Sequence, residues 1–366
     1  MKLCLIKEAQ TLLTLSGVQE ITSVFFGGGT PSLAHPDTIK MFMEDIKSRV
    51  SVQPTAEISM EINPTSLELE KLKDFQDAGI NRVSIGIQTL DRYGLNLLGR
   101  DHSVEESLRC LEMAKCLFPS SVSVDLIYGW PGQTLSSWLS ELQEMLHLCD
   151  YHISLYQLTL ERGTDLFKQI HQGHLSPVEQ QVSEDMYLQA VELLNNNGFE
   201  RYEVSNFAKQ KCYSHHNISY WTGQAYIGVG PGAHGRFKPV NKDHREARIQ
   251  TLEPNDWMWE VEKFGHATRK IKQLNPQNQL EELLSVGLRT KKGVSSREWS
   301  NVEPASCMKD VLFDDPKVQL FVQKGLLKFN DRGLCASDEG MNVLDSLLPD
   351  LLNAVEKDYF RKRTAV

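Results

Sequence analysis

Three consecutive glycines follow an apolar segment near the start of the chain, in the run Val24-Phe25-Phe26-Gly27-Gly28-Gly29-Thr30-Pro31-Ser32. Because glycine has no Cβ, such a loop can press its backbone against a ligand and expose its N–H groups. The alternative is a tight strand-to-helix turn, although one glycine usually suffices for a turn. The loop lacks the lysine of a Walker motif, so the rest of the chain must identify the ligand.

A second group of residues suited to chemistry lies between positions 212 and 221. It combines possible metal ligands with aromatic side chains, namely Cys212, His215 and His216 with Tyr213, Tyr220 and Trp221. Haem requires an apolar slot, aromatic walls and an axial ligand that is most often His or Cys. A histidine pair beside aromatic residues is more often structural or half of a metal site, so the residues alone leave the haem hypothesis open.

The elements that must position these residues follow an alternating pattern. From residue 21 to about 160, apolar runs alternate with amphipathic helical patterns, which predicts βα units and a parallel sheet. The predicted strands cover residues 21–26, 56–62, 82–87, 121–128 and 152–158. A helix is predicted over residues 5–15, where a parallel sheet would normally open with a strand, so the first βα unit is expected to be missing.

Polar or glycine residues lie at the C-terminal end of each predicted strand. They are the 27–30 loop, Glu61, Asn63, Ser84, Gln88, Asp125 and Gln157. Ligands of parallel α/β folds bind at the C-terminal strand ends, so these placements predict one shared site. The alternative is that Glu61, Gln88 and Asp125 cap helices or pair locally.

The pattern changes after residue 161. One long amphipathic helix is predicted over 176–198, with Met186, Leu188, Val191 and Leu194 facing inward. Residues 236–275 are polar, and we expect them to be irregular. From residue 277 to the end, short helices and a hairpin-like segment at 326–334 predict a small helical, winged-helix-like domain.

Composition excludes several classes of protein. The net charge of −9 argues against a surface that coats nucleic acid. No stretch approaches the roughly 20 apolar residues that cross a bilayer. The seven cysteines form no CxxC pair, which favours a reducing compartment over a disulfide framework. Cys110 and Cys116 are expected to be packed thiols.

Several motifs then occur in order along the chain. They are the 26–32 run, Glu61-x-Asn63-Pro64, Arg82-x-Ser84-x-Gly86-x-Gln88, Gly99-Arg100-x-His102, the 125–133 run and His216-Asn217-x-x-Tyr220-Trp221. Together they resemble the HemW-type haem chaperones of the radical S-adenosylmethionine (SAM) superfamily, relatives of oxygen-independent coproporphyrinogen III dehydrogenase. The His-Asn-x-x-Tyr-Trp element favours the haem-chaperone branch over the dehydrogenase.

The resemblance implies an α/β fold, namely a partial (βα)6 TIM-like barrel that is N-terminally truncated and followed by a helical, winged-helix-like domain. The implied domains are a partial barrel at 1–165, which lacks its first strand and cluster loop, and a segment at 166–275 that completes the barrel. A HemN C-terminal-type domain at 276–366 is the third.

The resemblance also implies binding residues. Gly28 and Glu61 would contact the SAM that chelates an iron–sulfur cluster. Positions that touch a second SAM in the dehydrogenase relatives are matched by Gly29, Thr30, Gln88, Arg100 and Asp125. The alternative for Arg100 is a surface salt bridge. The haem residues would be His216, Asn217, Tyr220 and Trp221, with His216 as the first candidate for the iron ligand and Cys212 as the second.

The sequence departs from the family in one respect. The Cys-x3-Cys-x2-Cys motif, whose thiolates bind the [4Fe–4S] cluster, does not occur in the chain. Either the chain is a shortened product of a longer gene, or the protein has lost the cluster and keeps the scaffold. In both cases we predict that this polypeptide neither binds the cluster nor generates a radical.

The leading functional hypothesis is a haem chaperone that binds haem and transfers it to an acceptor protein, without nucleic acid and without an integral membrane segment. The alternative is a radical-SAM oxidoreductase of the coproporphyrinogen III dehydrogenase type, which requires the absent cysteines. A scaffold without cofactor is the third hypothesis. Kinship implies a mitochondrial location, with the import signal absent from this chain, and a cytoplasmic one is the alternative.

Overall fold

Seven strands in the first part of the chain form one sheet. They are β1 (Glu20–Phe26), β2 (Ser51–Ile62), β3 (Arg82–Gln88), β4 (Val122–Tyr128), β5 (His152–Gln157), β6 (Glu200–Glu203) and β7 (Asn206–Ala208). Their order in the sheet is β1-β2-β3-β4-β5-β7-β6. Strands β2 to β5 pair in parallel, and β7 pairs antiparallel with both β5 and β6. The computed structural model describes residues 1–330 and 332–364, with side chains as far as residue 361.

Helices connect these strands, as the alternating pattern predicts. They are a 3-10 helix (Pro31–Leu33), α2 (Pro36–Arg49), α3 (Ser66–Leu69), α4 (Leu72–Asp77), α5 (Arg92–Leu97), α6 (Val104–Leu117), α7 (Leu135–Leu148), α8 (Asp165–His171) and α9 (Gln180–Asn196), with α1 (Lys2–Ser16) before β1. Ser103 and Glu106 form a capping box at the start of α6. A hydroxyl that accepts from the third helical N–H fixes where such a helix begins.

Strand β3 illustrates how the sequence separates the two faces of the sheet. Val83, Ile85 and Ile87 are fully buried. Successive side chains of a strand point to opposite faces, so Arg82 and Ser84 lie on the other face. That face carries the polar residues described below, whereas the apolar face is covered by helices such as α6.

Contacts divide the chain into two units. The barrel unit consists of Thr22–Met43 and Thr55–His216, and the C-terminal unit consists of Met1–Ile21, Glu44–Pro54 and Asn217–Val366. The predicted boundaries at 165 and 275 stay predictions.

The C-terminal unit contains two small antiparallel sheets. Its elements after α10 (His215–Trp221) are β8 (His234–Phe237), β9 (Arg245–Gln250), α11 (Pro254–Phe264), β10 (Thr268–Leu274), α12 (Pro276–Gly287), β11 (Val294–Ser295), α13 (Ser296–Val302), α14 (Met308–Leu312), α15 (Pro316–Gln323), β12 (Leu327–Asn330), β13 (Gly333–Ala336), α16 (Asp338–Asn342) and α17 (Leu344–Thr364). The sheet orders are β10-β9-β8 and β11-β13-β12. Helix α1 packs on α11, with Cys4, Trp257 and Val261 in a shared core.

The expectation that residues 236–275 are irregular is wrong. They contain β9, α11 and β10, and β9 pairs antiparallel with both β8 and β10. The pattern concealed β9 because the strand buries charges: Glu246 and Arg248 are both buried and joined at 2.7 Å. Strand β10 is mostly exposed at the edge of the sheet, so it shows no apolar alternation.

Two further expectations are wrong in part. Helix α9 spans Gln180–Asn196, and Leu188, which we expected to face inward, is 45% exposed while Ala190 is buried. Cys110 is a packed thiol as expected, but Cys116 is exposed. The hairpin predicted at 326–334 is confirmed by the antiparallel pair β12 and β13.

Across the described ranges, no helix combines the length and the apolar character that crossing a lipid bilayer requires.

Candidate functional site

The glycine loop after β1 lies against the end of β2. Gly28 and Gly29 adopt φ angles of 77° and 62°, a region that favours glycine, and a Cβ at either position would meet no atom within 4 Å. The Gly28 N–H donates to Glu61 Oε2 at 3.0 Å. Burial raises the pKa of Glu61, and the bond from Gly28 opposes that shift. The loop and the carboxylate that we predicted to share a site are therefore in direct contact.

Asp125 lies on β4 between serines of the two adjacent strands. Ser84 Oγ of β3 donates to Asp125 Oδ2 at 2.8 Å, and Ser154 of β5 is a second hydrogen-bond partner. Glu61 pairs in register with Ser84, so Glu61 and Asp125 lie on the same face of the sheet. Burial raises the pKa of Asp125 to about 6, with Glu61 as a further cause. Close to neutral pH this carboxyl group is partly protonated, and it can donate as well as accept.

Gln88 ends β3 in a conformation that is uncommon for a residue with a side chain. Its φ angle is 68°, which costs about 1–2 kcal/mol for a non-glycine residue. The next turn is fixed because the Leu90 N–H donates to Glu141 Oε1 at 2.6 Å. Burial raises the pKa of Glu141 to about 7. Strain of this kind concentrates at functional sites, and the ligand contact of Gln88 stays a prediction.

The remaining two predicted SAM residues lie in the same unit. Thr30 precedes the 3-10 helix Pro31–Leu33, and its carbonyl accepts from the Leu33 N–H. Arg100 lies in the turn after α5, and burial lowers its pKa. Its Nε atom is buried and makes no hydrogen bond among the described residues. Within the same ranges Arg100 forms no ion pair, which argues against the surface salt bridge that we considered as its alternative.

A buried carboxylate holds the first turn of α10. Glu57 on β2 is 8% exposed and accepts hydrogen bonds from the His215 and His216 N–H groups, both at 2.9 Å, and from Ser214 Oγ at 3.1 Å. The first N–H groups of a helix have no partner within the helix, so a carboxylate in this position satisfies them and interacts favourably with the helix dipole. The segment that carries His216 is thereby fixed to β2.

Arg82 of β3 completes this cluster. Its Nε atom lies 3.7 Å from Glu57 Oε2, and both side chains are 8% exposed. The guanidinium also donates to the carbonyl of Cys212 at 3.3 Å and to the carbonyl of Tyr213 at 3.5 Å. Arg82 therefore compensates the buried charge of Glu57 and holds the residues that precede α10.

The His216 ring stacks on Phe25 of β1. The two ring centroids are 4.1 Å apart, and the planes meet at 10°. Burial lowers the pKa of His216, and the charge of Glu57 opposes that shift. The lowered pKa favours the neutral imidazole, which is the form that binds a metal ion.

The other predicted haem residues follow His216 on α10 and belong to the C-terminal unit. Tyr220 is 42% exposed and packs edge-on against Trp221, with ring centroids 5.1 Å apart. The Arg289 guanidinium lies over the Trp221 ring at 4.7 Å. Asn217 follows His216 directly. Cys212 lies before the helix, and burial raises the pKa of its thiol, which disfavours the thiolate that would bind iron.

The residues present do not fit a [4Fe–4S] cluster. Residues 1–330 and 332–361, whose side chains the structure describes, contain no group of three or more His, Cys, Asp or Glu side chains placed to hold a metal ion. Burial raises the pKa of the Cys110 and Cys149 thiols to about 12, so neither favours the thiolate form that binds iron. His216 is of a residue type that serves as an axial ligand of haem, burial favours its neutral form, and its ring is flanked by Phe25.

Two family models match the chain. The model "Radical SAM superfamily" matches residues 9–146, and the model "HemN C-terminal domain" matches residues 274–343. The mouse protein "Radical S-adenosyl methionine domain-containing protein 1, mitochondrial" is 49% identical over 97% of this chain and 80% of its own length. The chain belongs to the radical SAM domain-containing protein 1 family.

Two further proteins show to which other proteins this family is similar. The "Heme chaperone HemW" of Buchnera aphidicola from Acyrthosiphon pisum is 30% identical over 94% of this chain and 88% of its own length, so the family extends to HemW. The solved structure of coproporphyrinogen III oxidase (HemN) from Escherichia coli covers 96% of this chain and 81% of its own, with a TM-score of 0.77 at 20% identity. The α/β radical-SAM fold is thus confirmed, and so is the mitochondrial localisation, since the mouse relative is named as mitochondrial.

Sequence reasoning assigned no role to Arg82 and did not single out Glu57. Arg82 stood within a motif, and Glu57 begins the run Glu57-Ile58-Ser59-Met60-Glu61, where charged and polar residues alternate with apolar ones. That alternation is typical of a strand with one solvent-exposed face. The available signal was a pair of opposite charges near the starts of two adjacent predicted strands, where Arg82 pairs in register with Ser59, two residues after Glu57.

Proposed function

We propose that this radical SAM domain-containing protein 1 family member binds haem through His216 and transfers the haem to an acceptor protein. The observation that carries the proposal is the placement of His216: its backbone is bound to Glu57, and its ring is stacked on Phe25. A histidine that binds a metal ion must be held in one orientation, and these two contacts restrict the orientation of His216. A HemW relative that bears the name of a haem chaperone supports the same function.

The residues of α10 define what the chain itself contributes to haem binding. Haem supplies an iron with an open axial position and a large apolar face. His216 would donate an imidazole nitrogen to that position, and the neutral form that burial favours is the form that can do so. Tyr220 and Trp221 offer aromatic surface, and Asn217 offers an amide.

We also propose that the strand ends of the barrel unit keep affinity for SAM. The Gly29 N–H suits a carboxylate, and the Glu61 carboxylate, which accepts from the Gly28 N–H, suits an ammonium group. Asp125 would accept from ribose hydroxyls, and Thr30, Gln88 and Arg100 complete the proposed set. The contacts of Gly28 with Glu61 and of Ser84 with Asp125 support the proposal, because they hold two of these carboxylates in place.

A haem titration followed by absorbance tests the haem proposal. The wild-type chain is compared with His216→Ala and with His215→Ala, which removes the neighbouring histidine of the same helix turn. We expect His216→Ala to weaken binding by at least about tenfold, or 1.4 kcal/mol, and to change the Soret band, while His215→Ala stays within about twofold. Equal affinities of wild type and His216→Ala would remove His216 as the ligand.

The release step is measured with apomyoglobin as a haem acceptor of known spectrum. Haem held by one histidine is expected to pass from the wild-type chain to apomyoglobin without a reductant, and faster from His216→Ala. The oxidoreductase alternative requires the cluster, which the cysteines of this chain do not fit, so we do not propose it.

A further inference from the structure

Glu57 accepts hydrogen bonds from three consecutive residues, Ser214, His215 and His216. Glu57 Oε1 accepts from Ser214 Oγ and from the His216 N–H, and Glu57 Oε2 accepts from the His215 N–H. Each carboxylate oxygen is therefore used, and both backbone donors belong to the histidine pair. A carboxylate that accepts charge-assisted bonds from consecutive N–H groups fixes the local backbone more firmly than a single cap.

The ring of His216 is held separately from its backbone. Phe25 stacks on the imidazole, and its ring also covers the space that a Cβ on Gly27 would occupy. Rotation of the imidazole therefore meets Phe25, and displacement of its backbone breaks the bonds to Glu57.

We propose that Glu57 is a positioning residue for His216, holding the first turn of α10 so that the imidazole faces one direction, with Phe25 restricting the ring. The inference rests on the proposed haem function. Groups that orient a metal-binding histidine are typically worth 10–100-fold in metal affinity. Glu57 acts through His216 and does not touch haem itself.

Two variants separate this positioning role from general stability. Glu57→Gln keeps one acceptor oxygen and places an NH2 group where the second acceptor was. The matched control is Glu8→Gln in the C-terminal unit, because Glu8 is also buried and also accepts two backbone N–H groups and one side-chain donor. Both variants lose comparable hydrogen bonds, but only Glu57 contacts the segment that carries His216.

Two measurements are made on each variant. Amide hydrogen exchange without haem measures how strongly the His215 and His216 N–H groups are protected. A haem titration measures the affinity for haem and the Soret band of the complex. We expect Glu57→Gln to speed exchange at these two amides by about tenfold or more and to weaken haem binding by about 10–100-fold. Glu8→Gln is expected to leave the exchange rate of these two amides and the affinity for haem unchanged. The double variant Glu57→Gln/His216→Ala should bind haem no more weakly than His216→Ala alone.

The outcomes are distinguishable. A wild-type chain that does not bind haem overturns the proposed function, and this inference with it. If wild type binds haem, His216→Ala loses it and Glu57→Gln retains full affinity, only the positioning role is overturned. Equal losses in Glu57→Gln and Glu8→Gln would also overturn it, because they would reflect stability alone. Should Glu57→Gln fail to fold, Phe25→Leu tests the same orientation: we expect weaker haem binding with unchanged exchange at His215.

Discussion

Two buried glutamates, one in each unit, hold backbone in the same way and differ in their surroundings. Glu57 of the barrel unit accepts from the His215 and His216 N–H groups and from Ser214 Oγ. Glu8 of the C-terminal unit accepts from the Gly230 and Ala267 N–H groups, both at 2.8 Å, and from Trp257 Nε1 at 2.9 Å. Glu57 is 8% exposed and Glu8 is fully buried.

The difference lies in the compensation of charge. Arg82 lies 3.7 Å from Glu57, whereas the described residues form no ion pair with Glu8, whose pKa is raised by burial and by Glu260. An uncompensated buried carboxylate favours its protonated form, and a paired one does not. We infer that the Glu8 cluster serves to pack α1 against α11, while the Glu57 cluster places an acceptor with a cation beside it under the segment that carries His216.

The largest expected effect comes from removing that compensation. Arg82→Met should lower the free energy of unfolding by about 3–5 kcal/mol, because it leaves Glu57 as an unpaired buried charge and removes the donors to the Cys212 and Tyr213 carbonyls. Urea denaturation followed by circular dichroism measures the loss. Arg92→Met, which removes an exposed ion pair with Glu105, is the control and should cost less than about 1 kcal/mol. A loss below 1 kcal/mol in Arg82→Met would show that Glu57 does not need its partner.

Glu141 is a third buried carboxylate, and it tests whether a carboxylate of the barrel unit without a cationic partner also makes stability depend on pH. Burial raises the pKa of Glu141 from its ordinary value of 4.5 to about 7, and the adjacent Asp91 and Glu144 add to the shift, while Thr89 and the Leu90 N–H oppose it. The folded state therefore holds a proton that the unfolded state releases between about pH 4.5 and 7. Stability contributed by this group falls as the pH rises through that window, by up to about 3 kcal/mol.

Glu141→Gln should remove that part of the pH dependence, as measured by urea denaturation at pH 5 and pH 7. Glu112→Gln changes an exposed residue of α6 and should leave that pH dependence in place. A slope that stays the same in Glu141→Gln would assign the dependence to other groups.

The sequence predicted the parts of the barrel unit that depend on local pattern. The parallel strands β2 to β5, the glycine loop and the placement of Glu61 and Asp125 on the two strands that flank β3 all follow from apolar runs that end in polar residues. The Glu57 cluster could not be predicted in this way, because Glu57 and His216 are 159 positions apart and nothing local to either residue indicates the other. Strand β9 was missed for a related reason, since its buried Glu246–Arg248 pair resembles a solvent-exposed surface in sequence.

A smaller effect should follow from filling the space beside Phe25. Gly27→Ala places a methyl group where the Phe25 ring lies, so the ring must move away from His216. We expect a loss of about 1–3 kcal/mol in the free energy of unfolding, the usual cost of overpacking. Gly27→Ala/Phe25→Leu should recover much of that loss, since the smaller side chain leaves room. Failure of the second substitution to restore stability would mean that the clash lies elsewhere.

The smallest expected effect concerns Glu8 and bears directly on the comparison of the two glutamates. Because burial raises the pKa of Glu8, its ionised form is disfavoured in the folded state, and the stability that it contributes falls as the pH rises above about 4.5. Glu8→Gln is neutral at every pH and keeps one acceptor oxygen. At pH 5 the variant should be less stable than wild type by about 1 kcal/mol, the net worth of one hydrogen bond, and the difference should shrink towards pH 8.

Denaturant unfolding at the two pH values measures this difference, and Glu57→Gln under the same conditions is the comparison. Glu57 lies 3.7 Å from Arg82, so Glu57→Gln removes an ion-pair partner as well as an acceptor, and its deficit should exceed that of Glu8→Gln at both pH values. If the two deficits are equal at both pH values, Arg82 does not compensate Glu57, and the contrast between the two clusters is lost. If the deficit of Glu57→Gln is the larger at both pH values, the Arg82 guanidinium is what distinguishes the acceptor under α10 from Glu8.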